Sequence, residues 1–371
     1  MILLPAAVSL SAQSRPAERK IVSAEAKVGG SFEQLVALRE LPDGRVLVTD
    51  VGPRSVILAD FKQGSLTPVG RTGQGSSEYR FPGELLAFGG DSTYIVDRGA
   101  RRLLKVSPDG RIVGAVGLPD GVGGPTIVRG VDRAGRIYLQ GGSSDGPEGP
   151  DSAPADSVAI LRWNPATGQI DSVTRIKPPA IQVSHSEGAG ARAVVIRPQP
   201  YSAADGWIAT SDGHVAVARA GDYHVEWFDD GVGKSGAAVP FTPVRVTDAD
   251  KYRFLDAMEN NRGRITIGGP AGAAASAPPP PSLEDFTWPE YKPAFVGNSG
   301  IFATPEGELW VQRYTPAADS TPVFDVFDSR GQVISTVTLP LGARLIGVGQ
   351  GVLYATRNER EGHQILERYR R

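Results

Sequence analysis

An all-β chain made of six repeats of a four-stranded sheet is predicted by three observations: a turn-and-strand phrase that recurs six times, a spacing of 43 to 48 residues wherever nothing is inserted, and almost no helical periodicity. The phrases are PDGRVLVTD from Pro42, GGDSTYIVD from Gly89, DRAGRIYLQ from Asp132, SDGHVAVAR from Ser211, PEGELWVQR from Pro305 and GQGVLYATR from Gly349. Each sets Gly or Asp in a tight turn and follows it with an apolar run rich in strand formers. A second apolar run comes next, as in SVILADFKQG, RLLKVSPDG, YHVEWFDDG and PVFDVFDSRG. Counted from Gly44, Ser92, Gly135, Gly213, Gly307 and Gly351, the spacings are 48, 43, 78, 94 and 44. A period in the forties with four strands per unit is the signature of β-propeller blades, so the two long gaps hold insertions.

The elements follow in order. The sixth unit stops one strand short, whereas an orphan run, IVSAEAKV from Ile21 to Val28, precedes the first unit. Pairing that run with the last strand, around Gln364 to Tyr369, closes the ring and leaves no open sheet edge. The expected architecture is therefore a six-bladed β-propeller of four-stranded antiparallel blades over 21–371, its last blade closed by the N-terminal strand. Insertions fall at 141–157, 177–205 and 246–289, with a shorter one at 315–320. One helix is expected, from about Asp248 to Asn260, because Thr247 or Asp248 can cap it and Tyr252, Leu255 and Met258 recur at helical spacing. All the long insertions lie between second and third strands or between blades, connections that emerge on one face; that long-loop face is the expected binding face.

Composition narrows the function classes. Of 371 residues, 46 are Gly and 30 Pro, and 39 Lys and Arg stand against 41 Asp and Glu with no basic stripe, so nucleic acid is not an expected partner. With no cysteine, disulfides, thiol nucleophiles and cysteine metal sites are excluded. Residues 1–14 give an apolar run followed by Ala12 and Ser14, spaced like a signal-peptide cleavage site but without the basic residues that usually start one. Export to the periplasm, the cell surface or the medium is the expectation, with no integral membrane segment.

The phrase YIVDRGARRLLKVSPDG, from Tyr94 to Gly110, together with GRTGQGSSEYRFPGEL, from Gly70 to Leu85, resembles the NHL-repeat pattern and the related six-bladed propellers of secreted bacterial proteins. Asp97 and Arg102 occupy NHL-like positions, with Ala100 where the repeat usually carries Asn. The resemblance implies a fold that hosts binders and enzymes alike, among them channel-site lactonases and lyases. The glycine-rich stretch from Gly70 lacks the Lys-Ser/Thr pair and the helix of a phosphate loop, so it reads as the turn from blade 1 into blade 2.

No catalytic set can be assigned. His185, His214, His224 and His363 show no metal-ligand spacing, and the acidic loop carrying Asp145, Glu148, Asp151 and Asp156 lacks the regular spacing of a calcium loop. The Gly142-Ser143-Ser144-Asp145-Gly146 match to a hydrolase elbow lacks its strand-to-helix context. No metal or cofactor is expected. The expected function is an exported binding or protein-interaction module; a channel-site hydrolase or lyase of the propeller-lactonase type is the alternative. The second strands end at Asp50, Asp97, Gln140, Arg219, Arg313 and Arg357. Because arginine forks suit carboxylate or phosphate groups, these six are the candidate ligand-binding residues, for a small anionic ligand at the mouth of the ring. The competing reading makes them strand-end salt bridges: Asp50 with Arg54, Asp97 with Arg102, Arg357 with Glu359 or Glu361. The partner is thus a protein or a small anion, bound by a monomer.

Overall fold

The computed structural model describes residues 16–120, 127–141, 156–188, 191–262, 280–319, 321–359 and 362–371. Residues 1–14, where a signal peptide is expected, most of the acidic loop at 141–157 and most of the proline-rich stretch at 269–281 lie outside the described residues.

The second strands show why the repeats fold as they do. Val46–Asp50 is buried at every position, and Val215–Arg219 at all but the last, because both faces of a radial sheet are covered by neighbouring blades. In blade 1, Val46 and Val48 face the cluster shared with blade 6, whereas Leu47 faces the cluster shared with blade 2. Six such clusters of buried residues exist, one for each blade boundary, so the core is a ring of equivalent interfaces. Trp163, Trp207, Trp227 and Trp310 fill four of them, as packing residues.

The described residues form six blades. Blade 1 comprises Leu35–Glu40, Val46–Asp50, Ser55–Asp60 and Ser65–Pro68; blade 2 runs from Pro82–Phe88 to Ile112–Gly117 and blade 3 from Ile127–Val131 to Ile170–Ile176. Blade 4 runs from Gly206–Ala209 to Val232–Ser235, and blade 5 from Ile301–Ala303 to Val333–Thr338. Blade 6 has Arg344–Gly349, Val352–Asn358 and Gln364–Arg370 from the C-terminus, and Ala26–Phe32 as its outer strand. Gly44 at φ 85° and Gly213 at φ 94° sit in first hairpins, where a side chain would strain the left-handed backbone.

Ring closure therefore occurs as the ends of the chain require, with a shift. The closing strand begins at Ala26, paired with Arg368, and extends to Phe32, paired with Gln364. The stretch from Ile21 instead crosses from blade 5: Ala17–Lys20 pairs in parallel with Ser335 to Thr338, and the Ile21 N–H donates to Thr338 O at 2.9 Å. The N-terminus thus ties the last two blades to each other, and blade 5 carries five strands.

The helix forms at Asp248–Arg262, with Thr247 as its cap: the Asp250 carboxylate accepts from Thr247 N (3.0 Å) and Oγ1 (2.8 Å). Of its expected apolar face, Leu255 and Met258 are half-buried, and one member is corrected. Tyr252 is exposed, and it is Phe254 that packs against Tyr201, Phe286 and Trp288. The neighbours are aromatic residues of this insertion, Phe286 and Trp288, and of the one before it, Tyr201, and not a blade, so spacing on the helix alone could not select the contact face.

Candidate functional site: the central channel

Strand direction alternates outward through each blade, so first and third hairpins lie at one end of the ring, and second-to-third and blade-to-blade connections at the other. Every long insertion lies at the second end. There the insertions pack on one another: the buried Lys292 amine meets Asp250 Oδ1 at 2.7 Å and donates to Thr315 O at 2.8 Å. Tyr201 Oη donates to Asp250 O, and Arg253 to Ala317 O. Lys292, Tyr201 and Arg253 thus together fasten segments from three connections into a platform. Burial opposes ionisation of Asp250, but hydrogen bonds from Lys292 and Thr247 hold its carboxyl below the ordinary range.

The six second-strand ends are set apart by their partners. In blades 1 and 2 they are buried acids. Asp50 accepts from the backbone N–H groups of Glu33 (2.8 Å), Gln34 (2.7 Å) and Gly52 (3.3 Å). Asp97 accepts from Arg80 N, Phe81 N and Arg102 Nε at 3.0 to 3.3 Å. Both carboxylates staple the chain as it enters their own blade's first strand. Asp97 has the expected Arg102 partner; Arg54 does not reach Asp50 and lies 4.0 Å over the Phe81 ring. Gln140 Oε1 accepts from Trp207 Nε1 at 3.4 Å, across the boundary of blades 3 and 4.

In blades 4 to 6 the ends are arginines, each reaching diagonally to an acid two residues along the third strand. Arg219 opposes His224 and binds Glu226 at 2.6 Å, with Asp205 at 2.9 Å. Arg313 grips Asp325 through two nitrogens, Nε at 2.6 Å, while Tyr223 Oη donates to the same carboxylate at 2.6 Å. Arg357 opposes Ile365 and binds Glu367 at 3.1 and 3.2 Å, not Glu359. Each of the six ends thus has a hydrogen-bond partner within the chain. The signal for these pairs stands in the third-strand phrases YHVEWFDDG, PVFDVFDSRG and HQILERYRR, each with an acid among apolar residues.

The glycine-rich loop holds an anion of its own chain. Glu78 accepts from Gln74 N (2.9 Å) and Gly75 N (2.8 Å) and pairs with Arg71, while Arg102 donates to Gly75 O and Glu78 O. The loop turns the corner into blade 2 with the N–H groups of Gly73, Gln74 and Gly75 already occupied.

The channel itself holds a cavity of about 960 Å3. It is lined by the later halves of the first strands and by the hairpins that follow them, so its mouth opens on the short-hairpin face, opposite the platform. The walls are apolar in the middle, with Leu38, Leu86, Ile208, Phe302, Ile346 and Val348. Acids at the rim have partners: Asp212 holds His214 at 3.0 Å, Glu306 and Glu308 hold Arg371, and Asp328 holds Arg330.

Two arginines on this wall differ from those above. Arg129, on the first strand of blade 3, donates to Ile301 O of blade 5 at 3.2 Å; its Nε is out of contact with water and without a hydrogen-bond partner. Its nearest charges, Glu84 and Arg98 of blade 2, are paired with each other at 3.2 Å. Blades 2 and 5 face each other across a six-membered ring, so Arg129 reaches across the channel that it lines. Burial, outweighing the attraction of Glu84, pulls its guanidinium down to about 10. Arg39, on blade 1, donates to Gly90 O at 3.1 Å, and its Nε and one terminal nitrogen have no partner. Among the described residues neither guanidinium has a carboxylate partner. Sequence reasoning passed over both, because an arginine inside a first strand looks the same whether it faces a channel or a salt bridge.

Among the described residues no group of three His, Asp or Glu side chains is arranged to hold a metal, and no helix is long and apolar enough to cross a membrane. No family model matches the chain, and no curated protein matches it. Solved structures do. A DUF4221 family member from Bacteroides vulgatus is 10% identical over 96% of this chain and 99% of its own, with a TM-score of 0.50. A candidate exported protein from Bacteroides fragilis is 14% identical over 95% and 98%, also at 0.50. A gluconolactonase from Xanthomonas campestris is 14% identical over 99% of both chains, at 0.46. At such identities likeness speaks for the fold alone, and with the blade-by-blade strand order the conclusion is that this chain is a six-bladed β-propeller.

Proposed function

We propose that this propeller is an exported small-molecule-binding protein whose ligand enters the central channel from the short-hairpin face. The observation that carries the reading is the channel cavity: about 960 Å3, with apolar first-strand residues along its wall, Arg129 on that wall, and charged and polar hairpin residues around it. Concave sites of this size that combine apolar wall with convergent polar groups are where small molecules bind. Export is supported by the apolar start of the chain with its small residues at Ala12 and Ser14, and by the candidate exported protein among the fold's neighbours. The binding face is then opposite to the long-loop face, whose platform is held by internal contacts.

The test is a thermal-shift screen of small molecules against the wild type and Ala87→Trp, which fills the cavity from an exposed wall position. Compounds that raise the wild-type transition by several degrees and leave the variant unmoved support channel binding; equal shifts in both proteins overturn it. Incubating each hit with the protein and analysing for product separates binding from the hydrolase or lyase alternative. Cell fractionation of the full-length chain, with N-terminal sequencing of the mature form, tests export.

A further inference from the structure

The channel reading leaves the chemical class of the ligand open, and the two unpaired arginines bear on it. The other well-buried guanidiniums of the blades have carboxylates: Arg102 has Asp97, Arg136 has Asp132, Arg162 has Asp171 and Asp230, and Arg219 has Glu226. Arg344, also pulled down by burial, contacts Leu35 O at the other end of the channel and does not line the cavity.

Resting on the channel-binding reading, we infer that the ligand is an anion with an apolar body, a carboxylate head bound at Arg129 and its hydrocarbon portion lying along Leu38, Leu86, Phe302 and Ile346.

Two observations converge on this. Arg129 lines the cavity without a carboxylate partner among the described residues, so an incoming carboxylate meets a guanidinium whose charge is not already compensated by an ion pair. The first strands beside it contribute Leu38, Leu86, Ile208, Phe302 and Ile346 to the wall, which suits an apolar chain. Glycerophosphates and sugar phosphates, polar throughout, do not suit the wall; a medium-chain or aromatic carboxylate does. Arg39, nearer the mouth beside the blade 2 hairpin at Gly90, acts as a secondary attraction for the head group on its way in.

The test uses the full mature chain and defined probes: octanoate and decanoate, with 1-octanol and octanamide as neutral counterparts, measured by calorimetry. Wild type is expected to bind decanoate at least tenfold tighter than the alcohol or amide. Arg129→Gln should lose that tenfold and keep alcohol binding, Arg129→Lys should retain part of it, and Arg39→Gln should weaken carboxylates two- to threefold. Alcohols and carboxylates bound equally well by wild type would overturn the anion assignment while leaving channel binding in place. Selectivity for carboxylates that survives Arg129→Gln would overturn the role of Arg129. Inorganic phosphate competing as strongly as decanoate would overturn the apolar-body requirement. Because the wild-type probe series is decisive by itself, the inference does not depend on the variants folding. Absence of binding by every probe, with unrelated hits in the wider screen, would overturn this inference and spare the channel reading; absence of any channel ligand would remove both.

Discussion

The same position, the end of the second strand, is an acid in blades 1 and 2 and an arginine in blades 4 to 6, and the two halves of the ring solve one problem with opposite charges. Asp50 and Asp97 are short acceptors that collect backbone N–H groups from the segment entering their blade. Arg219, Arg313 and Arg357 are long donors that reach across the sheet to a third-strand acid. An acid can satisfy nearby orphan N–H groups directly, whereas an arginine needs a carboxylate, and its pairing costs less desolvation when that carboxylate is also held by a tyrosine. Tyr223 serves Asp325 in this way and Tyr369 serves Glu367. Charge at a repeated position of a repeat fold is therefore not by itself a sign of a ligand; the unpaired guanidiniums lie one strand further in, on the channel.

The comparison can be broken most severely at ring closure, on which both halves depend. Deleting 26–32 should abolish a single cooperative thermal transition, since burial of Phe32 alone is worth about 3–5 kcal/mol and Gln364–Arg370 loses its outer partner. A variant melting within a few degrees of wild type would disprove that dependence. Deleting only 17–20 should cost far less, because that strand is exposed throughout.

Next in size are the two kinds of fastening. Asp97→Ala should destabilise by about 3–5 kcal/mol, the usual cost of removing one partner from a buried charged group. Asp97→Asn, which keeps an acceptor, should recover part of it. Asp325→Ala should cost about as much and expose Tyr223 and Arg313 to the same loss. In urea titration, a cost below about 1 kcal/mol for either alanine variant would show that its hydrogen bonds are not what fastens the blade.

Smaller effects sharpen the contrast among the arginines. Arg313→Gln removes a two-nitrogen grip on the fully buried Asp325, with Nε at 2.6 Å, and should cost about 2–3 kcal/mol, whereas Arg357→Gln removes longer contacts, 3.1 and 3.2 Å, to the equally buried Glu367, which also keeps Lys27 and Tyr369, and should cost about 1 kcal/mol or less. Reversal of that order would mean contact geometry does not set the strength of these pairs.

The smallest effect concerns acid. Burial works to raise the carboxyls of Glu226 and Glu367, but hydrogen bonds, from Arg219 and Ser235 in one case and Tyr369 and Lys27 in the other, hold both below the ordinary glutamate value. A depressed folded value stabilises above the unfolded value, about 4.3, and that contribution is lost as pH falls through the folded one. Stability should be level from neutral pH to about 5 and decline below about 4. Glu367→Gln should flatten the acid limb; an unaltered limb would assign acid sensitivity elsewhere.

How much was legible follows from range. The six phrases, the turn glycines, the closing strand and the inserted helix are written in stretches of ten or so residues, and strand alternation and turn chemistry act over those distances. The resemblance at Tyr94 to Gly110 placed Asp97 and Arg102 together, and they are together at 3.3 Å. The third-strand partners of the arginines were in view at Glu226, Asp325 and Glu367, yet choosing them over Glu359 requires the strand register, which a sequence only implies.

What the sequence by itself determined is the ring: number of blades, order of strands, and the end of the ring on which each insertion emerges, because these depend on local turns and on covering both faces of every sheet. The tertiary structure alone decided which charges are spent within the fold and which face the channel. Asp50, Asp97 and the three strand-end arginines are internal fasteners, the N-terminus pairs in parallel with blade 5 before closing blade 6, and the cavity opens away from the long connections. Arg129 acquires its place only when blades 2, 3 and 5 stand around one axis, and an environment made by six separated segments has no local signature for a reader of the chain to find.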